Sequence, residues 1–276
     1  MQPDRYAVIG HPVDHSLSPA IHTAFARATG EALAYGRIDA PPDGFAAAAA
    51  GFFGEGGRGL NVTVPFKAEA FTWSARATAR AQLAGVANTL TAHADGVEAD
   101  NTDGAGLVRD LEANLGLALA GRRILLVGAG GAARGVLGPL LAAAPAAVTV
   151  ANRTEARAHE LARAFADHGP VDGCSFQELA AAAPFDLVVN ASAASLGGAV
   201  PPLPASTVAA GATVYDMMYG DSARPFLEWG RGAGAGTIVD GLGMLVEQAA
   251  ESFRVWRGVR PDTGAVLERL RNDGTP

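Results

Sequence analysis

The chain has 276 residues, enough for one large domain or two ordinary ones with ample core. Apolar residues make up 49% and charged residues 18%, which excludes a disordered or fibrous polypeptide, and a net charge of -7 argues against a nucleic-acid partner. The single cysteine, Cys174, excludes an internal disulfide framework and a multi-cysteine metal site, and no uninterrupted apolar stretch of about 18 residues suggests a membrane span. Met1 to Arg5 opens straight into a strand-like run with no basic-then-apolar signal, so a reducing, cytoplasmic setting is expected.

Tyr6 to Gly10 reads as a buried first strand. In the loop that follows, Ser18 before Pro19 predicts a helix start, serine at the N-cap and proline at the first helical position, with the helix running through Ile21, Ala24, Phe25 and Ala28 toward Gly30. Free amides there, with the Ser16 and Ser18 hydroxyls, suit a carboxylate or phosphate. His11, His15 and His22 lack a second ligand cluster and read as loop and helix residues, so no metal is expected. Leu33 to Asp39 predicts a second strand, Pro42 to Phe53 an alanine-rich helix and Gly59 to Phe66 a third strand. This alternation indicates a sheet covered by helices.

In that third strand Val62, Val64 and Phe66 alternate with Asn61, Thr63 and Pro65, the pattern of a half-buried strand that delivers Lys67 to a polar spot. Lys67 is the only lysine beside 20 arginines. An ammonium can give up a proton where a guanidinium cannot, which makes Lys67 a candidate proton donor. A helix is expected from there to about Leu83, then a hairpin beginning at Val86 to Leu90 and turning at Ala94 to Gly96. Asp103 falls at a strand-to-helix transition, where it is expected to cap a helix through Leu107 and Leu111.

After a linker from Gly116 to Arg123, the apolar run Ile124 to Val127 leads into Gly128, Ala129, Gly130, Gly131, Ala132 and Ala133, followed by a helix and a second strand, Val148 to Ala151. That context is what a dinucleotide fold requires: Gly128 for the tight turn, Gly130 for close approach of the pyrophosphate, Ala133 for helix-on-sheet packing. At the second strand's end stand Asn152, Arg153 and Thr154, then Arg157, where an NAD enzyme usually carries an acid. Two guanidinium groups and a hydroxyl suit a 2'-phosphate, so NADP is favoured over NAD. Glu155 reads as a dipole partner of the next helix.

Further strands are expected at Asp172 to Phe176, Phe185 to Asn190, Ala212 to Tyr219 and Thr237 to Asp240, with helices at Met244 to about Arg257 and Ala265 to Arg271. Met217 and Tyr219, at a strand end, are candidate walls of the nicotinamide site, and Gln248 needs partners in the core or on a ligand hydroxyl.

Taken together, His15 to Pro19, Asn61 to Lys67, Ala87 to Thr89, Asn101 to Gly104, Gly128 to Ala132, Asn152 to Thr154, Tyr215 to Gly220 and Asp240 to Gln248 resemble, in unbroken order, the shikimate dehydrogenase family. The resemblance implies two α/β domains with a cleft between them: a substrate domain of residues 1–104 plus 240–276, completed by the C-terminal helices, and a Rossmann-type NADP domain of residues 105–239. It implies carboxylate binding by Ser16 and Ser18, ring-hydroxyl contacts from Thr63, Asn88, Asp103, Tyr219 and Gln248, and a catalytic pair of Lys67 and Asp103. Met217 and Gly241 match positions lining the nicotinamide. The implied reaction is reduction of 3-dehydroshikimate to shikimate by NADPH, in a monomer or homodimer with no nucleic-acid or membrane partner.

Departures from the family pattern fall at Ser192 or Ala193, where many relatives have threonine, at Arg224 before Pro225, where they also have threonine, and at Ala79, where some carry an acid. Alternatives are a quinate or aminoshikimate dehydrogenase, a non-catalytic NADP-binding regulator, and a methylene-tetrahydrofolate dehydrogenase-like enzyme, the last of which leaves the serine pair unexplained.

Overall fold

The structure, a computed structural model, describes residues 3–272; Met1, Gln2 and residues 273–276, the outer ends of two expected segments, lie outside the described residues. The chain divides into two compact units, one running through Gly106 and taking up Val246–Leu270, the other built on Leu107–Leu245. No helix of the described residues is long and apolar enough to cross a membrane.

The first unit contains β1 (Asp4–Gly10), α1 (Ser18–Thr29), β2 (Leu33–Asp39), α2 (Phe45–Gly54), β3 (Gly59–Val62), α3 (Lys67–Trp73), β4 (Arg76–Ala77), α4 (Ala79–Ala84), β5 (Thr89–His93) and β6 (Gly96–Asp100), and α5 (Asp103–Arg109) begins in it. Its six-stranded sheet runs β2-β1-β3-β5-β6-β4. The β1–β2 and β1–β3 pairs are parallel, whereas β5 and β6 form an antiparallel hairpin with His93 opposite Gly96. One core layer gathers Ile9, Phe45, Leu60, Val62, Phe66, Ala87 and Leu90 on the α2 and α3 side.

Two expected elements end elsewhere in this unit. The third strand stops at Val62, and all four of its residues are buried rather than alternating. Thr63 N–H still bonds the Ile9 carbonyl and the Val64 carbonyl accepts the His11 N–H just past β1, but Pro65 has no N–H to continue the pairing, and Val64 is 49% exposed. The single helix expected from Lys67 to Leu83 is two helices separated by β4. Arg76 pairs with Asp95 and Glu98 beside the hairpin, and Thr78 caps α4 by accepting the Ala81 N–H.

The second unit holds β7 (Arg123–Val127), α6 (Gly131–Ala142), β8 (Ala147–Ala151), α7 (Glu155–Ala164), β9 (Val171–Cys174), β10 (Phe185–Asn190), β11 (Val208–Asp216), α8 (Arg224–Gly232) and β12 (Thr237–Val239). Every strand pair is parallel and the order is β12-β11-β10-β7-β8-β9, the doubly wound arrangement whose strand order reverses between β7 and β10. Strands covered on both faces need continuous apolar runs, and Leu125, Val127, Val188 and Val214 are all fully buried. Ligands of such sheets bind outside the carboxyl ends of the strands at the reversal.

The chain ends in α9 (Leu242–Arg257) and α10 (Gly264–Asn272). The later turns of α9 cover the first unit's sheet: Trp256 donates its indole N–H to the Leu90 carbonyl at 3.1 Å and its ring lies 4.7 Å from that of Tyr6.

Candidate active site

In the first unit a polar network forms where β3, β5 and β6 meet the starts of α3 and α5. Lys67 is the first residue of α3, a poor place for a cation because the helix dipole repels it there. Its backbone carbonyl is held by Ala87 N–H at 2.8 Å, and its Nζ lies 2.5 Å from Asp103 Oδ2, with side chains 20% and 6% exposed. The ammonium is therefore placed for a partner across the sheet, not for its own helix.

Asp103 starts α5, but its carboxylate does not cap that helix as expected. Asn101 does so, accepting the Asp103 N–H at 3.1 Å, which leaves the Asp103 carboxylate to take Lys67 on Oδ2 and Asn88 Nδ2, at 2.8 Å, on Oδ1. Asn88 is buried, and its Nδ2 also reaches Thr102 Oγ1 at 2.9 Å and Gln248 Oε1 at 3.2 Å. Its Oδ1 accepts the Thr102 N–H at 2.8 Å and the Thr89 hydroxyl at 2.9 Å, which fixes the amide's orientation. Asn61 extends the network, donating to the Asn88 carbonyl and to Thr89 while accepting the Tyr35 hydroxyl at 2.6 Å.

At the head of α1, Ser18 is the first helical residue and not a side-chain cap, so the expected capping role falls elsewhere. The Ser16 hydroxyl accepts the Ser18 N–H at 3.3 Å, and Arg37 holds the Ser16 carbonyl at 2.6 Å. Ser18 is buried. Thr63 packs its methyl group where a side chain on Gly10 would stand. His22 lies fully buried, stacked 4.2 Å from the Tyr35 ring, and neither of its ring nitrogens has a hydrogen-bond partner. Burial pushes its pKa down to about 3.

In the second unit the turn after β7 has the geometry of a phosphate cradle. Gly128 has φ +111, and a Cβ there would press on the Ala191 and Ser192 backbone at 3.0 to 3.1 Å. Gly130 precedes α6 in extended conformation with open space over it, and Gly131 and Ala132 open the helix. After β8, Asn152 donates its side-chain amide to the Thr154 carbonyl at 2.9 Å. Arg153, Thr154 and Arg157 are exposed, and among the described residues neither arginine has an ion-pair partner. Glu155 faces His159 at 3.3 Å instead of either arginine. Two free guanidinium groups beside a glycine turn suit a phosphorylated ribose.

At the carboxyl end of β10, the Asn190 amide donates to Asp216 at 2.9 Å and accepts the Ser192 hydroxyl at 2.7 Å, fixing the start of the loop that follows. Met217 N–H donates to the Asn190 carbonyl, and a Cβ on Gly241 would strike the Met217 carbonyl oxygen, so the backbones of these two residues approach closely. Tyr219 lies in this unit, half-buried, and burial raises its hydroxyl's pKa so that it remains a neutral donor. Among the described residues no group of three or more histidine, cysteine, aspartate or glutamate side chains could hold a metal ion.

The structure thus gathers Lys67, Asn88, Asp103 and Gln248 into one network, sets Ser16 and Ser18 at a helix start and Thr63 beside Gly10, and brings Met217 to Gly241. Sequence reasoning missed Tyr35, Thr89, Arg80 and Asp100 as members of the polar network. Arg80 and Asp100 carried a usable signal, since a charged pair around a predicted strand and helix of one hairpin invites a fork, whereas nothing in the local pattern marks Tyr35.

Profiles of known families match the chain in three stretches: a shikimate dehydrogenase substrate binding domain over residues 8–90, a shikimate/quinate 5-dehydrogenase over 111–197, and a shikimate 5'-dehydrogenase C-terminal domain over 241–271. The shikimate dehydrogenase (NADP(+)) of Aromatoleum aromaticum is 58% identical over 97% of each chain. That of Alkalilimnicola ehrlichii is 55% identical over 97% of this chain and 98% of its own. Among solved structures, shikimate 5-dehydrogenase from Thermus thermophilus in complex with NADP(H) and shikimate superposes with a TM-score of 0.83 at 31% identity, covering 98% of this chain and 99% of that one. With relatives this similar over nearly its whole length, the chain belongs to the shikimate dehydrogenase family.

Proposed function

We propose that the chain catalyses the reversible NADPH-dependent reduction of 3-dehydroshikimate to shikimate in aromatic amino-acid biosynthesis, with Lys67 and Asp103 as the reacting pair. The observation that carries this reading is the 2.5 Å contact between a half-buried ammonium and a buried carboxylate within a network of neutral amides and hydroxyls. Shikimate is a carboxylate bearing three hydroxyls, and its chemistry asks for one anion site and several neutral donors and acceptors. Ser16 and Ser18 at the head of α1 supply the first, through hydroxyls and helix-start amides. Asn88, Gln248, Thr63 and Tyr219 supply the second.

Bound NADPH supplies the hydride. Lys67 gives the developing alkoxide its proton or stabilises the negative oxygen electrostatically, and Asp103 fixes the ammonium and accepts a ring hydroxyl. The turn Gly128 to Ala132 would hold the pyrophosphate, Asn152, Arg153, Thr154 and Arg157 the 2'-phosphate, and Met217 and Gly241 the nicotinamide side. Gly128's left-handed backbone and the unpaired arginines fit that group. The single cysteine and the pathway suit a cytoplasmic setting, and residues 1–104 plus 240–276 are read as the substrate domain and residues 105–239 as the NADP domain.

The test is the absorbance of reduced nicotinamide followed with shikimate or quinate against NADP or NAD. The expected outcome is turnover with shikimate and NADP well above the other three pairs. Preferred turnover of quinate would reassign the substrate, and no oxidation of either would reduce the chain to a nucleotide-binding regulator.

A further inference from the structure

Asp103 can reach Lys67 and Asn88 only because the residues before it are held in place. Asp100, at the end of β6, has a side chain 6% exposed whose carboxylate accepts four hydrogen bonds. Arg80 forks onto its two oxygens, Nε to Oδ1 and Nη2 to Oδ2, both at 2.6 Å. Thr78 donates its hydroxyl to Oδ1 at 2.6 Å, and the Asn101 N–H does so at 2.7 Å. Asn101, its backbone fixed in this way, donates its amide to the Val86 carbonyl and accepts the Asp103 N–H, both at 3.1 Å. The guanidinium is anchored behind by Glu251 at 3.0 Å, which Arg254 and Arg260 also hold. Arg254 first and then Arg80 keep the Glu251 carboxyl ionised, down to a pKa of about 2, against the opposing effect of its burial.

We infer that Arg80 and Asp100 are positioning residues for the reaction: the fork on Asp100 sets the Asn101 turn that presents the Asp103 carboxylate to Lys67. This rests on the reading of Lys67 and Asp103 as the reacting pair. Bidentate recognition gives geometric definition that a point charge lacks, and a buried carboxylate held on both oxygens has one orientation. The argument concerns where Asp103 is held, so the loss belongs in the chemical step.

The test uses the full chain. Arg80→Gln and Asp100→Asn are each expected to lower kcat about 10- to 100-fold, the scale on which small misplacements of a reacting group act. KM for shikimate and for NADP should stay within about threefold, since the bonds to neither ligand are removed. Arg80→Lys, which keeps the charge but cannot fork, should recover only part of the rate. Arg254→Gln, which loosens Glu251 but leaves the fork of Arg80 on Asp100 in place, should lower kcat less than Arg80→Gln does. In an Asp103→Asn background Arg80→Gln should cost little more, because the group it positions is already gone.

Normal kcat in folded Arg80→Gln and Asp100→Asn overturns the inference, and so does an undiminished loss in the Asp103→Asn background, which would mark a general effect on packing. Should both variants fail to fold, Thr78→Val removes a single hydroxyl from Asp100, and an unchanged kcat there overturns the inference as well. If Lys67→Ala itself turns over normally, the reading of the reacting pair fails instead.

Discussion

Lys67 Nζ and Asp103 Oδ2 meet at 2.5 Å although 36 positions separate the two residues, and each begins a helix. Neither charge helps its own helix as much as it serves the other. The lysine is at the end of a helix that disfavours cations, and the aspartate leaves capping to Asn101.

A first prediction concerns this pair. Lys67→Ala should reduce kcat by about 10²- to 10⁴-fold, the usual contribution of a positioned acid, while KM for shikimate changes far less. Lys67→Arg should fail as well if proton transfer matters, since guanidinium does not release its proton. Steady-state kinetics of both variants decide, and near-normal turnover in Lys67→Arg would show that charge alone suffices.

The exposed, unpaired arginines after β8 give a second. Loss of a charge-assisted bond to phosphate costs about 1.5–3 kcal/mol, so Arg153→Ala should raise KM for NADP roughly 10- to 100-fold. KM for NAD, which has no 2'-phosphate, should not move. Equal changes with both cofactors would remove Arg153 from the phosphate site.

Gly241 supplies a third. A methyl group there would overlap the Met217 carbonyl oxygen, a backbone atom with no freedom to swing aside. Gly241→Ala should destabilise the fold by about 1–3 kcal/mol, the range for overpacking, and weaken NADP binding by displacing the β11 end. Urea unfolding with and without NADP measures both, and an unchanged NADP affinity would separate this contact from the cofactor site.

The fourth concerns acid stability. Burial holds the His22 ring near a pKa of about 3 against an ordinary 6.5, and the Asn61 amide, close by without hydrogen-bond geometry, offsets only part of this. Between those values the unfolded chain binds a proton that the native protein refuses, so stability rises with pH across the window. On acidification below 6.5 it is lost at up to about 1.4 kcal/mol per pH unit from this group. His22→Phe should flatten that slope when urea midpoints are compared over the window, and an unaltered slope would assign the acid sensitivity to other groups.

The strongly patterned parts of the fold were legible in the sequence. The βαβ beginning at Ile124 announces itself because a buried parallel strand, a glycine turn and a helix leave separate local marks. The region between Lys67 and Leu83 was not, because β4 is two residues long and exists through its backbone pairing with β6, from a hairpin later in the chain. Val64 misled for a related reason: alternation along Asn61 to Phe66 imitates a strand, but the ladder with β1 ends at Val62, and past Thr63 only the Val64 carbonyl still bonds across, to the His11 N–H. In the site, residue types were readable and partners were not. Lys67 stands out by rarity, whereas the orientation of Asn88 follows from Thr89, Thr102 and Gln248, which the fold alone brings together.

That last contact spans 160 positions, and the Trp256 indole meets the Leu90 carbonyl across 166. The first sheet is thus made early in synthesis and finished late. On the ribosome it must wait, with the surface destined for α9 still bare, until residues 107–245 have emerged, and only then does its last wall arrive. A nascent chain of this design keeps that face uncovered until α9 has been made.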